Sequence, residues 1–187
     1  MALFLAVLVS LFVITTDTSL AEKPKSLDNL GGDFTLMAHS GEVSLSDYQG
    51  KAVVMYFGFL TCPEVCPSSM TTISTALNRL DVDKAAQTQA ILVSVDPKRD
   101  TPEKLAEYAQ FYHSSLIGLT GTKEQIDSVT NQYGAYYDFS EIESVTADYG
   151  VEHSSRYYVI DRNGKLVTAM RHSTTPNELA AQIEELL

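Results

Sequence analysis

The chain has 187 residues, 44% of them hydrophobic and 20% charged, with 24 acidic against 13 basic side chains, two Cys and no Trp. This is the length and composition of one globular domain with a processed or linking end. A formal charge of −11 argues against a nucleic-acid binder, whose affinity comes largely from Lys and Arg neutralising phosphates, and against adhesion to an anionic membrane surface.

Residues 3–14 form an apolar run interrupted only by Ser10. A membrane span needs ~20 apolar residues, so this has the length of a signal-peptide core. Ser19 and Ala21 place small residues where cleavage after Ala21 is expected, although no Lys or Arg precedes the run. Two readings of residues 1–21 therefore stay open, a cleaved signal peptide or an N-terminal anchor. Both imply export, in a bacterium to the periplasm or the outer face of the inner membrane. Residues 22–33 are polar and rich in turn formers, and read as a linker. The domain is expected over 34–187.

Within the domain, Phe34–Leu36 and Val43–Leu45 predict a hairpin, and Lys51–Phe59 is the nearly continuous apolar run of a buried central strand. Met70, Ile73, Leu77 and Leu80 follow helical spacing over 68–80, and Gln89–Asp96 is a second buried strand. Thr101-Pro102 opens a helix to about His113, and Thr122 with Gln125 makes a capping box for another, ending near Gly134. Arg156–Asp161 and Leu166–Met170 flank Asn163-Gly164, a strong hairpin signal, and Thr175-Pro176 caps the last helix. The order is that of an α/β, thioredoxin-like fold: a mixed central sheet with helices on both faces, preceded by an extra N-terminal hairpin. Chemistry in such sheets gathers at the carboxyl ends of the parallel strands. Both cysteines lie there.

The first buried strand runs into Cys62-Pro63-Glu64-Val65-Cys66-Pro67. On the first turn of a helix, residues i and i+4 share a face and can share a ligand, while the helix dipole favours the thiolates that bind metal. A disulfide and a pair of inert buried thiols are the alternatives. Two thiolates leave a metal short of ligands, which turns attention to the four histidines. His39 sits in a predicted turn, His113 at a helix end where a cation is favoured, and His172 beside Arg171 at the surface. His153 lies in the loop before the strand Arg156–Asp161, and in a thioredoxin-like fold that loop faces the cysteine turn. No Pro occurs between Pro102 and Pro176, so an imidazole stands where many such folds place a cis-Pro. Asp96 and Arg99 are candidate supports of the metal loop, and Asp100-Thr101 reads as helix capping.

Three blocks in this order, GFLTCPEVCP at 58–67 after the buried strand, SVDPKRDTPEKLAEY at 94–108 and VEHSSRYYVIDRNGK at 151–165, resemble the Sco/SenC family of copper-binding proteins. The resemblance spans about residues 31–187. It implies that Cys62, Cys66 and His153 bind one copper, as Cu(I) or Cu(II). Soft thiolates suit Cu(I), and an added imidazole makes Cu(II) accessible. The family's role implies a copper metallochaperone that matures the CuA centre of cytochrome c oxidase, with the oxidase subunit carrying CuA, or another copper protein, as partner. The alternative is a thiol–disulfide oxidoreductase acting on such a partner through Cys62 or Cys66. A zinc hydrolase would find only Glu64 or Glu152 as general base, and a peroxidase-like sensor lacks its motif around Cys62.

Overall fold

The computed structural model describes residues 27–140 and 150–187. The segment 1–21, expected as a signal peptide or an anchor, and residues 22–26 lie outside the described residues. No helix among the described residues is long and apolar enough to cross a membrane.

Strands β1 (Thr35–Ala38) and β2 (Gly41–Ser44) form the N-terminal hairpin. It docks through Met37, which exchanges both backbone hydrogen bonds with Thr120 at 2.7 and 2.9 Å. β3 (Ala52–Gly58) is buried at every position, as its apolar run requires. Then come α1 (Val65–Leu77), the short α2 (Val82–Ala86), β4 (Thr88–Ser94), α3 (Pro102–Tyr112), β5 (Leu116–Leu119) and α4 (Lys123–Tyr133). A second hairpin of β6 (Tyr137–Ser140) and β7 (Gly150–His153) precedes β8 (Arg156–Ile160), β9 (Leu166–Arg171) and α5 (Pro176–Glu184).

The central sheet has the order β5-β4-β3-β8-β9. β3, β4 and β5 run parallel, whereas β8 and β9 are antiparallel to their neighbours. Side chains alternate across β3 and so define two layers. A Cβ on Gly58 would lie 2.9 Å from Cys66 Sγ of α1, while Phe57, pointing the other way, packs against Tyr133 of α4 at 6.2 Å between ring centres. Helices therefore cover both faces.

The capping chemistry expected from sequence is present. Thr101, Thr122 and Thr175 each accept a hydrogen bond from the third residue of their helix, with Pro at the start of α3 and α5. Gly134 ends α4 at φ 63°, a conformation that favours glycine.

Four expectations change. The first long helix starts at Val65 rather than Ser68, because Pro67 sits in a first turn where its missing N–H is not needed. The helix α2, the strand β5 and the hairpin β6–β7 appear in segments the sequence left without structure. Part of the expected linker is docked: Gly31 N–H donates to the Gln132 carbonyl at 2.9 Å, and the Tyr133 hydroxyl donates to the Gly32 carbonyl at 2.8 Å. The two glycines have φ of 93° and 121°, so their missing side chains let the chain lie against α4 and β9. Lastly, His153 lies at the end of β7 rather than in a loop.

Candidate metal centre

The turn after β3 is held from below. Asp100 is 1% exposed, and one of its oxygens accepts from Leu60 N–H at 2.9 Å and from the Ser94 hydroxyl at 2.6 Å. It therefore ties the cysteine loop to the end of β4, while Thr101 alone caps α3. Burial pushes the Asp100 carboxyl up, opposed by these two hydrogen bonds. Asp96 is wholly buried, and its carboxylate accepts from the Arg99 guanidinium. The Asp96 N–H donates to Ser94 Oγ at 3.0 Å, so both aspartates brace one shelf beneath the turn.

Cys62 precedes α1 and Cys66 is in its first turn, with Glu64 between them in non-helical conformation. The expectation that both cysteines share a helical turn is corrected, but their proximity is kept. Cys66 N–H donates to Cys62 Sγ at 3.4 Å, so the sulfur satisfies one of the free donors of the helix start. Both are free thiols. Cys62 is 9% exposed and Cys66 is completely buried. A hydrogen bond from Cys66, outweighing the burial that opposes it, pulls Cys62 down to about 4. The same hydrogen bond, with burial, pushes Cys66 up. The two shifts run in opposite directions because the two sulfurs face one another across this turn.

His153 reaches the pair from β7. Its Nδ1 lies 3.2 Å from the Ser154 carbonyl, an atom that can only accept, so Nδ1 carries the proton. Nε2 is thereby turned to the sulfurs, 3.5 Å from Cys66 Sγ. The ring stands edge-on to Tyr56 and Phe59, at 6.0 and 5.6 Å between centres. One ligand atom from each of Cys62, Cys66 and His153 lies within 4.8 Å of the others. Two soft sulfurs and one imidazole nitrogen make a donor set that fits copper in either oxidation state. A second atom fixing the ring through Nδ1 is the usual companion of a ligating histidine.

The other histidines are elsewhere. His39 is exposed with Glu103 at 3.7 Å. His113 accepts from Ser115 N–H through Nδ1 at 3.0 Å, and burial lowers its pKa, so it is a neutral acceptor rather than a helix-end cation. His172 is half-buried, with Nδ1 3.0 Å from the hydroxyl of the buried Ser69, where the sequence suggests a surface residue. Sequence reasoning placed Gly58 in the cysteine motif without a packing role and gave Asp100 the wrong task. A glycine at the exit of a buried strand before the cysteine turn is the signal that was available for the first.

Gly58→Ala is expected to force Cys66 Sγ away from its place, since the added methyl would stand 2.9 Å from it. We expect copper affinity to fall at least tenfold and stability to fall by about 1–3 kcal/mol, as for overpacking generally. Competition titration and thermal melting measure the two effects. Unchanged affinity would show that the sulfur's position is not fixed by this contact.

The family model described as SCO1/SenC matches residues 22–187. The chain belongs to the SCO1/SenC family. A SCO2-like protein of Rickettsia conorii is 38% identical over 154 residues, covering 80% of this chain and 73% of that protein. The human mitochondrial SCO1 homologue is 34% identical over 156 residues, covering 82% of this chain and 52% of its own. Among solved structures, Arabidopsis thaliana ScoI with copper bound aligns with a TM-score of 0.77 at 32% identity, over 83% of this chain and 97% of that one. Yeast Sco1 with copper bound gives 0.75 at 32%, over 84% and 87%. The SCO1/SenC fold is thus the thioredoxin-like arrangement described above, with its extra hairpins.

Proposed function

We propose that the domain binds one copper ion through Cys62, Cys66 and His153 and delivers it during assembly of cytochrome c oxidase. The observation that carries this reading is the convergence of two sulfurs and Nε2 within 4.8 Å. Copper-bound relatives with the same fold support it. Copper is cargo here. Three ligands leave its coordination open to an incoming thiol or imidazole, so an acceptor can replace the donor ligands one at a time. The half-buried rim suits that exchange: Cys62 is the sulfur nearer solvent, and Cys66 anchors the ion from within the helix. The acceptor is the oxidase subunit carrying CuA or another copper protein. The domain of 34–187 works outside the cytoplasm, delivered there by residues 1–21 and retained at the membrane where that segment stays attached.

A second reading has an observation of its own. Cys62, its thiol lowered by the hydrogen bond from Cys66 and its sulfur nearer solvent, has the attributes of an attacking thiol, and the fully buried Cys66 beside it those of a resolving one. Cys62 would attack a partner disulfide, forming a mixed disulfide and releasing one partner thiol. Cys66 would then close the Cys62–Cys66 disulfide and release the second, leaving the partner reduced by two electrons.

The test mixes the copper-loaded domain with a metal-free soluble CuA domain. Appearance of CuA absorption with loss of copper from the donor supports delivery. No transfer to the reduced acceptor, together with rapid reduction of the oxidised one, would replace delivery by thiol exchange.

A further inference from the structure

The hairpin β6–β7 is a two-stranded sheet outside the central five strands, yet it carries one of the three ligand atoms. Two hydrogen bonds close its base: Ser154 N–H donates to the Tyr136 carbonyl, and Tyr136 N–H to the Ser154 side-chain Oγ, both at 2.8 Å. These fix the hairpin to itself. Against the body of the domain it is held by the His153 ring, edge-on to Tyr56 and Phe59, and by Tyr137. Tyr137 is the direct cross-strand partner of His153, and its hydroxyl donates to Asp127 Oδ1 on α4. The other Asp127 oxygen accepts from Lys123 Nζ at 2.7 Å, and the same ammonium lies 6.0 Å from the Tyr137 ring centre. α4 is itself a firm support, closed by a capping box and buried through Ile126, Val129 and Tyr133.

We propose that Tyr137 is a positioning residue, latched by Asp127 so that the hairpin holds His153 Nε2 at the two sulfurs. This rests on the reading of His153 as a copper ligand. A hydrogen bond to a charged acceptor is stronger than one between neutral groups, and the Lys123 ammonium holds the Asp127 carboxyl below its usual range. Burial and Asp127 hold the Tyr137 hydroxyl up at about 12, so it remains a donor throughout the working range. Releasing the latch lowers the fraction of molecules with the imidazole in place, and the apparent affinity falls by that fraction. The two copper states feel this unequally. Two thiolates alone satisfy Cu(I), while Cu(II) depends on the nitrogen.

Tyr137→Phe and Asp127→Ala in the reduced protein test this. Each is expected to weaken Cu(II) about tenfold, the scale of one charge-assisted hydrogen bond, and Cu(I) less than about threefold. Because both remove the Tyr137–Asp127 bond, and Asp127→Ala otherwise loses only an exposed pair with Lys123, the double variant is expected to bind Cu(II) as either single does. The thiolate-to-Cu(II) absorption is expected to shift as the nitrogen is lost from part of the population. In the metal-free protein, amide exchange in 150–153 is expected to quicken about tenfold with 52–58 unchanged, which reads the latch without copper. His153→Ala separates the two ideas. If it loses Cu(II) while both latch variants bind and exchange as the parent does, the latch is wrong and the ligand reading stands. If His153→Ala itself binds Cu(II) normally, the ligand reading fails and the latch has nothing to position.

Discussion

Replacing His153 by Ala is expected to cost more than 100-fold in Cu(II) affinity while leaving Cu(I) within about tenfold of the parent. The lower bound follows because outer partners of a metal site alone are worth ~10–100-fold, and a ligand must exceed them. The asymmetry follows from the donor set, in which the sulfurs satisfy Cu(I) and the nitrogen is what Cu(II) gains. The domain should remain folded. His153 is half-buried, and its edge contacts with Tyr56 and Phe59 contribute on the order of 1 kcal/mol. The thiol pair should keep its disulfide chemistry, since the main cause lowering the Cys62 thiol is its hydrogen bond with Cys66, which the substitution leaves in place. Competition titrations in each oxidation state check this, with melting as control. Equal losses of Cu(I) and Cu(II) would mean that the substitution disturbs the sulfurs instead.

Asp100→Ala carries the largest stability effect expected outside the apolar core. It strips the acceptor from Leu60 N–H and the Ser94 hydroxyl. Each orphaned buried donor costs about 1–3 kcal/mol, partly offset because a buried carboxylate is removed too. A net loss of about 3 kcal/mol corresponds to a fall of about 6–12 °C in Tm for a domain of this size. Asp100→Asn keeps one acceptor oxygen and should lose less than half as much. Because the Leu60 turn leads directly to Cys62, copper affinity is expected to drop in the Ala variant as well. A Tm within about 1 °C of the parent would show that the shelf under the cysteine turn is not held by this side chain.

The central strands and the long helices were legible because burial writes itself into sequence: Ala52–Gly58 is apolar throughout, and Thr101, Thr122 and Thr175 announce their helices. The cysteine pair and His153 were legible because few residue types make a soft-metal set. The hairpin that carries His153 was not. Its strands are four residues each, too short for the alternation in Tyr137–Ser140 to stand out, Gly150–His153 has none, and two of their opposed residues are Asp138 and Glu152. Asp100 was misjudged for a different reason. An Asp just before Thr-Pro-Glu satisfies a local rule for capping, while its real partners, Leu60 and Ser94, come from other parts of the chain. The edge strand Leu116–Leu119 is four residues long, too short for periodicity to separate it from a buried turn. What sequence missed was the support of the site, and support is made of long-range contacts.

The central claim is that three side chains share a single ion. X-ray absorption on the reduced protein loaded with copper, together with stoichiometry by titration, reads this directly. The expected result is one copper per chain, ligated by two sulfurs and one imidazole in the Cu(II) form, with the second sulfur lost in Cys62→Ser and the imidazole lost in His153→Ala. Copper bound with no sulfur ligand, or an unchanged ligand shell in those variants, would contradict the account.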